Sequence, residues 1–404
     1  MRAQILRCAL SHFSRDGFEA TSLRTIADEL DVSVPTLRNY FGSKDGLLVA
    51  TLERLIDVVD LGVQEIVSQG LTDPERAVRV ALSADASNRA LSRDLMAHVI
   101  RVAATEPEVT RIMNRLRSSL EAAVVYGQKE AGGRQDVEAS RLAQILADLI
   151  IGAMVDWVQS PETETEAHTE VVVRTVIDLI VPRAGPRVPV PAEQVFEAMP
   201  LPEPVPQARG LRSELQNRIL DVAHRLFAAH GVRETSLDAI ADELSISQLT
   251  IFYHFGSKDG LLAQLAVDIA DVIDGGVADV LAEEKDSDLR EGIALIPRKI
   301  GDLPDFGPKL SAEILRVMVT HPDARMAARR IHGAMARLVA MGQDRGIVRS
   351  DHGPVLLARI ILDLTYGGLL RWIQDPTRPV PESALDTMRS VRLFLRGDPS
   401  EARD

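Results

Sequence analysis

The chain has 404 residues, too many for one ordinary helical domain, and its apolar fraction of 46% is enough to build real cores. Aromatic residues are only 4%, and one cysteine, Cys8, excludes an intrachain disulfide and fits a reducing cytoplasm. The formal net charge of −13 argues against indiscriminate nucleic-acid binding, so any contact with DNA has to come from a few locally placed groups.

The first predicted element is a helix carrying Ile5, Leu6, Ala9, Leu10 and Phe13, ended by Gly17. Cys8 reads as a small apolar core residue, with a reactive thiol as the alternative. Ser22 then caps LRTIADEL, whose inner face is Ile26, Ala27 and Leu30. Asp31-Val32-Ser33 makes a tight turn with Val32 as a buried hinge, and Ser33 caps a third helix, Val34 to Phe41. This is helix-turn-helix spacing, with the last helix offered to the major groove. Beyond residue 55 come amphipathic helices, clearest over Leu91–Thr105, Glu108–Gln128, Val137–Gln159 and Glu170–Val181. The stretch Leu142 to Val158 is apolar, but it carries Asp148 and Asp156 and falls short of the ~20 residues a bilayer requires. It reads as a buried helix, and no membrane partner is expected.

The whole pattern then repeats. Ile5 to Leu48 recurs as Ile219 to Leu262 without a gap, and FGSKDGLL is identical in both. Arg101-Val102, Gly127-Gln128, Asp148-Leu149, Gly152 and Trp157 recur as Arg316-Val317, Gly342-Gln343, Asp363-Leu364, Gly367 and Trp372. Between the copies lies a stretch dense in proline from Pro182 to Pro206, which cannot continue a helix and reads as a solvated linker. The expected domains are a helix-turn-helix domain over 1–54, a regulatory and dimerisation domain over 55–182, a linker over 183–212, a second helix-turn-helix domain over 213–273 and a second regulatory domain over 274–397.

The run TSLRTIADEL–DVS–VPTLRNYFGSKDGLL resembles the signature of the tetracycline-repressor (TetR) family, and the second copy resembles it more closely still. The resemblance implies an all-α fold of two tandem repeats. Each would pair an N-terminal three-helix DNA-binding domain with a C-terminal helical domain for ligand binding and dimerisation. It also implies a cytoplasmic transcriptional regulator, a double-stranded DNA operator as partner, release by a small-molecule effector, and no cofactor. Relatives act as homodimers; here the two copies of one chain are expected to pair as an intramolecular pseudo-dimer, with a further homodimer left open. The alternative is a ligand- or partner-binding protein of the same fold that has lost DNA recognition in one copy or both.

A helix entering the major groove exposes its N-terminal side chains to base edges. In the first copy these are Val34, Pro35, Thr36, Arg38 and Asn39, with Tyr40 reaching the backbone; Arg38 and Asn39 suit bidentate contacts to guanine and adenine. In the second copy they are Gln248, Leu249, Thr250, Phe252, Tyr253 and His254, with His254 divided between phosphate contact and packing. Ser33 and Ser247 stand at the helix starts. Lys44, Lys258, Thr21 and Thr235 are candidates for phosphate, while Phe41 and Phe255 read as core. A ligand pocket between the later helices is expected around Met96, Val99, Met113, Leu116 and Leu120 in the first copy, and Ile314, Met318, Met326 and Met335 in the second, with ordinary core as the bland alternative. Gly152-Ala153 and Gly367-Gly368 suit close approach of helices, with Trp157 and Trp372 as anchors of a helical bundle. GSKDG lacks the spacing of a phosphate loop, and Asp305-Phe306-Gly307 has no kinase context. No catalytic residue is expected, and no histidine shows metal spacing with a carboxylate on one helix face.

Overall fold

A computed structural model describes residues 1–83, 93–106, 108–160, 165–181, 212–282, 307–375, 377, 386–387 and 389–391. The chain divides into two units, Met1–Gly185 and Pro186–Asp404. Almost the whole of the expected linker, 183–212, lies outside the described residues.

Among the described residues all regular structure is helical. Unit 1 begins with α1 (Arg2–Asp16), α2 (Leu23–Glu29) and α3 (Val34–Phe41), followed by α4 (Lys44–Ser68) and α5 (Pro74–Ser83). It continues with α6 (Arg93–Thr105), α7 (Glu108–Glu130), α8 (Ala139–Gln159) and α9 (Thr165–Ile180). Unit 2 repeats the plan with α10 (Glu214–His230), α11 (Leu237–Leu244), α12 (Gln248–Phe255), α13 (Lys258–Ala282), α14 (Pro308–Thr320), α15 (Pro322–Asp344) and α16 (Pro354–Gln374). The core of the first head is Ile5, Phe13, Phe18, Ile26, Leu37, Leu47 and Leu48, all nearly inaccessible. Each such large side chain contributes about 1.5–3 kcal/mol by leaving water.

The head ends differently from the sequence expectation. A boundary at 54/55 falls inside α4, a continuous helix of 25 residues, and a boundary at 273/274 falls inside α13. At 54/55 no glycine, proline or cap interrupts the apolar periodicity, and α13 runs unbroken through Gly275-Gly276, so in each unit one rod of roughly 37 Å runs from head to regulatory helices. It packs on α7 and α5, and α7 packs on α8 in turn. The apolar helix α8 is long enough to cross a bilayer, yet most of it is buried inside the protein. The repeated glutamines now have a role. The Gln128 amide donates to the Arg134 and Val137 carbonyls at 2.7 and 2.9 Å, closing the α7–α8 loop. Gln343 does the same to Arg349 and His352 at 2.9 and 2.7 Å. Gly368 is needed within its own unit, because a Cβ there would lie 2.2 Å from the Thr387 hydroxyl. Trp372 is buried and Trp157 only half-buried.

Candidate nucleic-acid interface

Local chemistry fixes both helix-turn-helix motifs. Ser22 and Ser33 accept from the Thr25 and Thr36 amides at 3.0 and 3.2 Å, capping α2 and α3. Between them Asp31 takes φ 51, a left-handed turn that an aspartate tolerates, and the Val32 amide donates back to the Ala27 carbonyl at 3.0 Å. In unit 2, Ser236 and Ser247 cap in the same way, and Ser245 takes the matching φ 53. Val32, expected as a buried hinge, is half-buried, and so is Ile246.

One residue anchors each recognition helix. Leu37 and Ile251 are each 1% exposed. Phe41 and Phe255, expected in the core, are half-buried at the helix ends. In α3 this orientation exposes Pro35, Arg38, Asn39 and Tyr40, with Val34 and Thr36 half-buried. In α12 it exposes Gln248, Leu249 (74%), Phe252 (57%) and Tyr253 (83%), with Thr250 and His254 half-buried. The scaffolds are alike and the offered chemistries are not: the first face carries a cation and an amide, the second an apolar and aromatic surface. Thr36 and Thr250 turn their hydroxyls back to the capping Ser33 and Ser247, 2.9 Å away.

The candidates for phosphate look inward. Thr21 is buried and donates to the Gly17 carbonyl at 2.8 Å; Thr235 is buried and donates to Gly231 at 2.8 Å. An ammonium has three protons. The Lys44 ammonium lies 2.9, 3.4 and 3.2 Å from the carbonyls of Phe18, Glu19 and Thr21, and Lys258 lies 2.9, 3.3 and 3.1 Å from those of Val232, Arg233 and Thr235. These four residues tie the α1–α2 loop to the start of the long helix. The contact spans 23–26 residues, so no local pattern reveals it. Sequence reasoning passed over Arg24, 83% exposed at the start of α2. The first helix of such a motif crosses the phosphate backbone, and a cation two residues after a cap was the available signal.

The head is also held from behind. Arg101 on α6 donates to both carboxylate oxygens of Asp45, at 3.2 and 2.5 Å, and Arg316 holds Asp259 at 3.0 and 2.5 Å. The Arg316 hydrogen bonds hold the Asp259 carboxyl below the usual range. That link therefore stabilises at neutral pH and is lost as pH falls through the lowered value.

Unit 1 has a partly open apolar cavity of about 100 Å³, lined by Ile66, Leu71, Val78, Leu120, Leu146 and Val176 among others. Of the expected pocket residues only Leu120 lines it. Met96, Val99 and Leu116 are core, Met113 is half-buried, Ile314, Met318 and Met335 are core, and Met326 is exposed. The cavity sits at the far end of α4 from the head, where α5, α7, α8 and α9 converge.

Comparison with known proteins agrees with this architecture. The family described as bacterial regulatory proteins, tetR family, matches residues 5–51 and 219–265, and that described as BetI-type transcriptional repressor, C-terminal, matches 72–182. The chain is 26% identical over 185 residues to the HTH-type transcriptional repressor KstR of Mycobacterium tuberculosis (strain ATCC 25618 / H37Rv), covering 44% of this chain and 80% of that protein. It is 26% identical over 169 residues to the regulator UidR of Escherichia coli (strain K12), covering 38% and 79%. Among solved structures, FadR of Thermus thermophilus, a TetR-family repressor in complex with lauroyl-CoA, is 23% identical over 45% of this chain and 94% of its own, with a TM-score of 0.37.

Proposed function

Because the chain belongs to the tetR family of bacterial regulatory proteins, we propose that it is a repressor acting as a single-chain pseudo-dimer, each copy presenting one recognition helix to one half of an asymmetric operator. The observation that carries this is the pair of identically capped helices with different exposed faces. A symmetric operator would leave one of them unused, and a covalent link keeps the second copy at high effective concentration once the first is bound. In the first half-site Arg38 and Asn39 read base edges, and Tyr40 and Arg24 contact the backbone. In the second, Leu249 and Phe252 suit thymine methyl groups, and Tyr253, Gln248 and His254 supply hydrogen bonds. Lys44, Lys258, Thr21, Thr235, Ser33 and Ser247 hold these surfaces in place.

The effector is a small apolar molecule entering the cavity of unit 1. A cavity of about 100 Å³ is below the ~300–1,000 Å³ of ordinary ligand sites, so occupancy has to push helices apart. Ile66 on the cavity wall and Asp45 on the head-side ion pair are both on α4, so that displacement reaches the recognition helix along one rod.

Selection of binding sites from random DNA, with the mass of the complex measured in parallel, tests the reading. A non-palindromic site bound by one chain is expected. A perfect inverted repeat bound by two chains overturns the pseudo-dimer, and retention of random DNA alone favours a partner-binding protein. Arg38→Ala is expected to weaken specific binding by about 1–3 kcal/mol and to relax preference at one base pair, while leaving binding to random DNA nearly unchanged. Equal losses on specific and random DNA, in competition assays at fixed salt, would remove Arg38 from base readout.

A further inference from the structure

Cys8, His12 and Asp16 recur every four residues, which puts them on one face of α1, and that face meets Glu29 of α2. The earlier expectation that no histidine shows metal spacing overlooked this run. Cys8 and His12 are buried, and one donor atom each from Cys8, His12 and Glu29 lie within 4.8 Å of one another. The His12 ring is oriented at both ends. Its Nδ1 lies 2.8 Å from Asp16, and its Nε2 lies 2.6 Å from Glu29. Arg15 fixes the orienting carboxylate, donating to both Asp16 oxygens at 2.8 Å, with its other contact 3.0 Å from His12 Nδ1.

This is the arrangement in which a carboxylate on one ring nitrogen aims the other at a metal. The second unit shows that the fold does not require it. There Val222 and Leu226 stand in place of Cys8 and His12, and Glu243 pairs with Arg225 instead. A buried polar cluster in one head, replaced by apolar side chains in its twin, has no packing reason to be polar.

We propose that Cys8, His12 and Glu29 form a binding site for a thiophilic divalent cation of the zinc class, with Asp16 as the carboxylate that orients His12. The mixed sulfur, nitrogen and oxygen donors suit zinc-like ions and disfavour magnesium and calcium. Tetrahedral coordination at ~2.0–2.3 Å places donors roughly 3.3–3.7 Å apart. His12 Nε2 and the Glu29 oxygen, now 2.6 Å apart, have to separate by roughly 0.7–1 Å to admit the ion, which rotation of the exposed Glu29 side chain allows. Glu29 is 54% exposed, which leaves a path from solvent and a fourth position for water. Burial and the neighbouring Glu29 raise the Cys8 thiol to about 11, so the thiol proton is held in the free protein. The cation takes its place on sulfur, and the proton leaves to solvent. Bound there, the ion cross-links α1 to α2 in the first head only, so that one half of the molecule responds to metal and the other does not.

The test is a cobalt(II) titration of the reduced full-length chain. Cys8 is the sole cysteine, so any thiolate-to-cobalt charge-transfer band reports this site. One equivalent is expected to saturate the band together with tetrahedral d–d absorption, and zinc should displace it. Cys8→Val should abolish the band. His12→Leu and Glu29→Gln should each weaken binding more than tenfold, and Asp16→Asn by about 10–100-fold. Val and Leu are the residues of the second head, so helix content by circular dichroism should hold. Absence of saturable binding, or binding without the thiolate band, overturns the site. Unchanged affinity in both His12→Leu and Glu29→Gln overturns the ligand set.

Discussion

Gly46→Ala is expected to destabilise the first head by about 3 kcal/mol, the upper end of ordinary overpacking, and to lower specific DNA affinity roughly tenfold or more. A Cβ at Gly46 would lie 2.0 Å from the Phe41 carbonyl oxygen, and one at Gly260 would lie 1.8 Å from that of Phe255. Both obstacles are backbone, so neither can rotate away. Phe41 is the last residue of α3, so relief of the clash has to move the recognition helix itself. Gly42 provides the control. It takes φ 70 and ψ −62 with open space around it, so Gly42→Ala meets only backbone strain, about 1–3 kcal/mol, and should leave the reading face in place. Chemical denaturation and operator binding read the two effects separately. Wild-type stability and affinity in Gly46→Ala would show that α3 and α4 are not packed this closely. The same close approach accounts for the glycine at both Gly46 and Gly260.

A second large effect separates two ion pairs that align in sequence. Arg330 lies 2.7 Å from Asp271 and 3.6 Å from Asp274, and Arg337 also pairs with Asp274. Arg115 contacts Asp57 at 2.5 Å and Asp60 at 2.8 Å in the matching place of unit 1. Both sets tie the long helix to the helix behind it. The arginines differ in burial, with 9% of the Arg330 side chain exposed against 39% of Arg115. Removing one partner of a buried pair strands the other charge away from water and costs about 3–5 kcal/mol, whereas a half-exposed pair is screened and contributes at most about 1 kcal/mol. Arg330→Ala should therefore destabilise unit 2 by roughly 3–5 kcal/mol, and Arg115→Ala should cost unit 1 about 1 kcal/mol or less. Two-wavelength thermal or urea melts, with each unit reported by its own tryptophan variant, distinguish them. Equal losses would mean that burial does not govern these pairs.

The three short helices of each head, their serine caps and the helix-turn-helix motif were determined by the sequence alone, because each rests on signals within a few residues, and the tandem repeat by direct recurrence of one segment in the other. Ser33 three residues before Thr36, apolar residues at helical spacing, and a glycine after the first and third helices of each head are local instructions. Arg38, Asn39, Leu249 and Tyr253 were legible as exposed for the same reason, since a helix with one anchoring residue turns the rest outward.

What only the tertiary structure decided depends on contacts distant in sequence. Lys44 is within three positions of helix starts that suit a phosphate, yet its protons go to carbonyls 23–26 residues earlier. Thr21 and Thr235 are buried by the same loop closure. The cavity lies among helices that meet from five separate segments, so the methionines chosen by periodicity miss it: periodicity identifies an inward face but not where inward faces fail to fill space. Cys8 and His12 were visible on α1, but Glu29 belongs to another helix, and only the packing of α1 on α2 brings a sulfur, a nitrogen and an oxygen within reach of one ion.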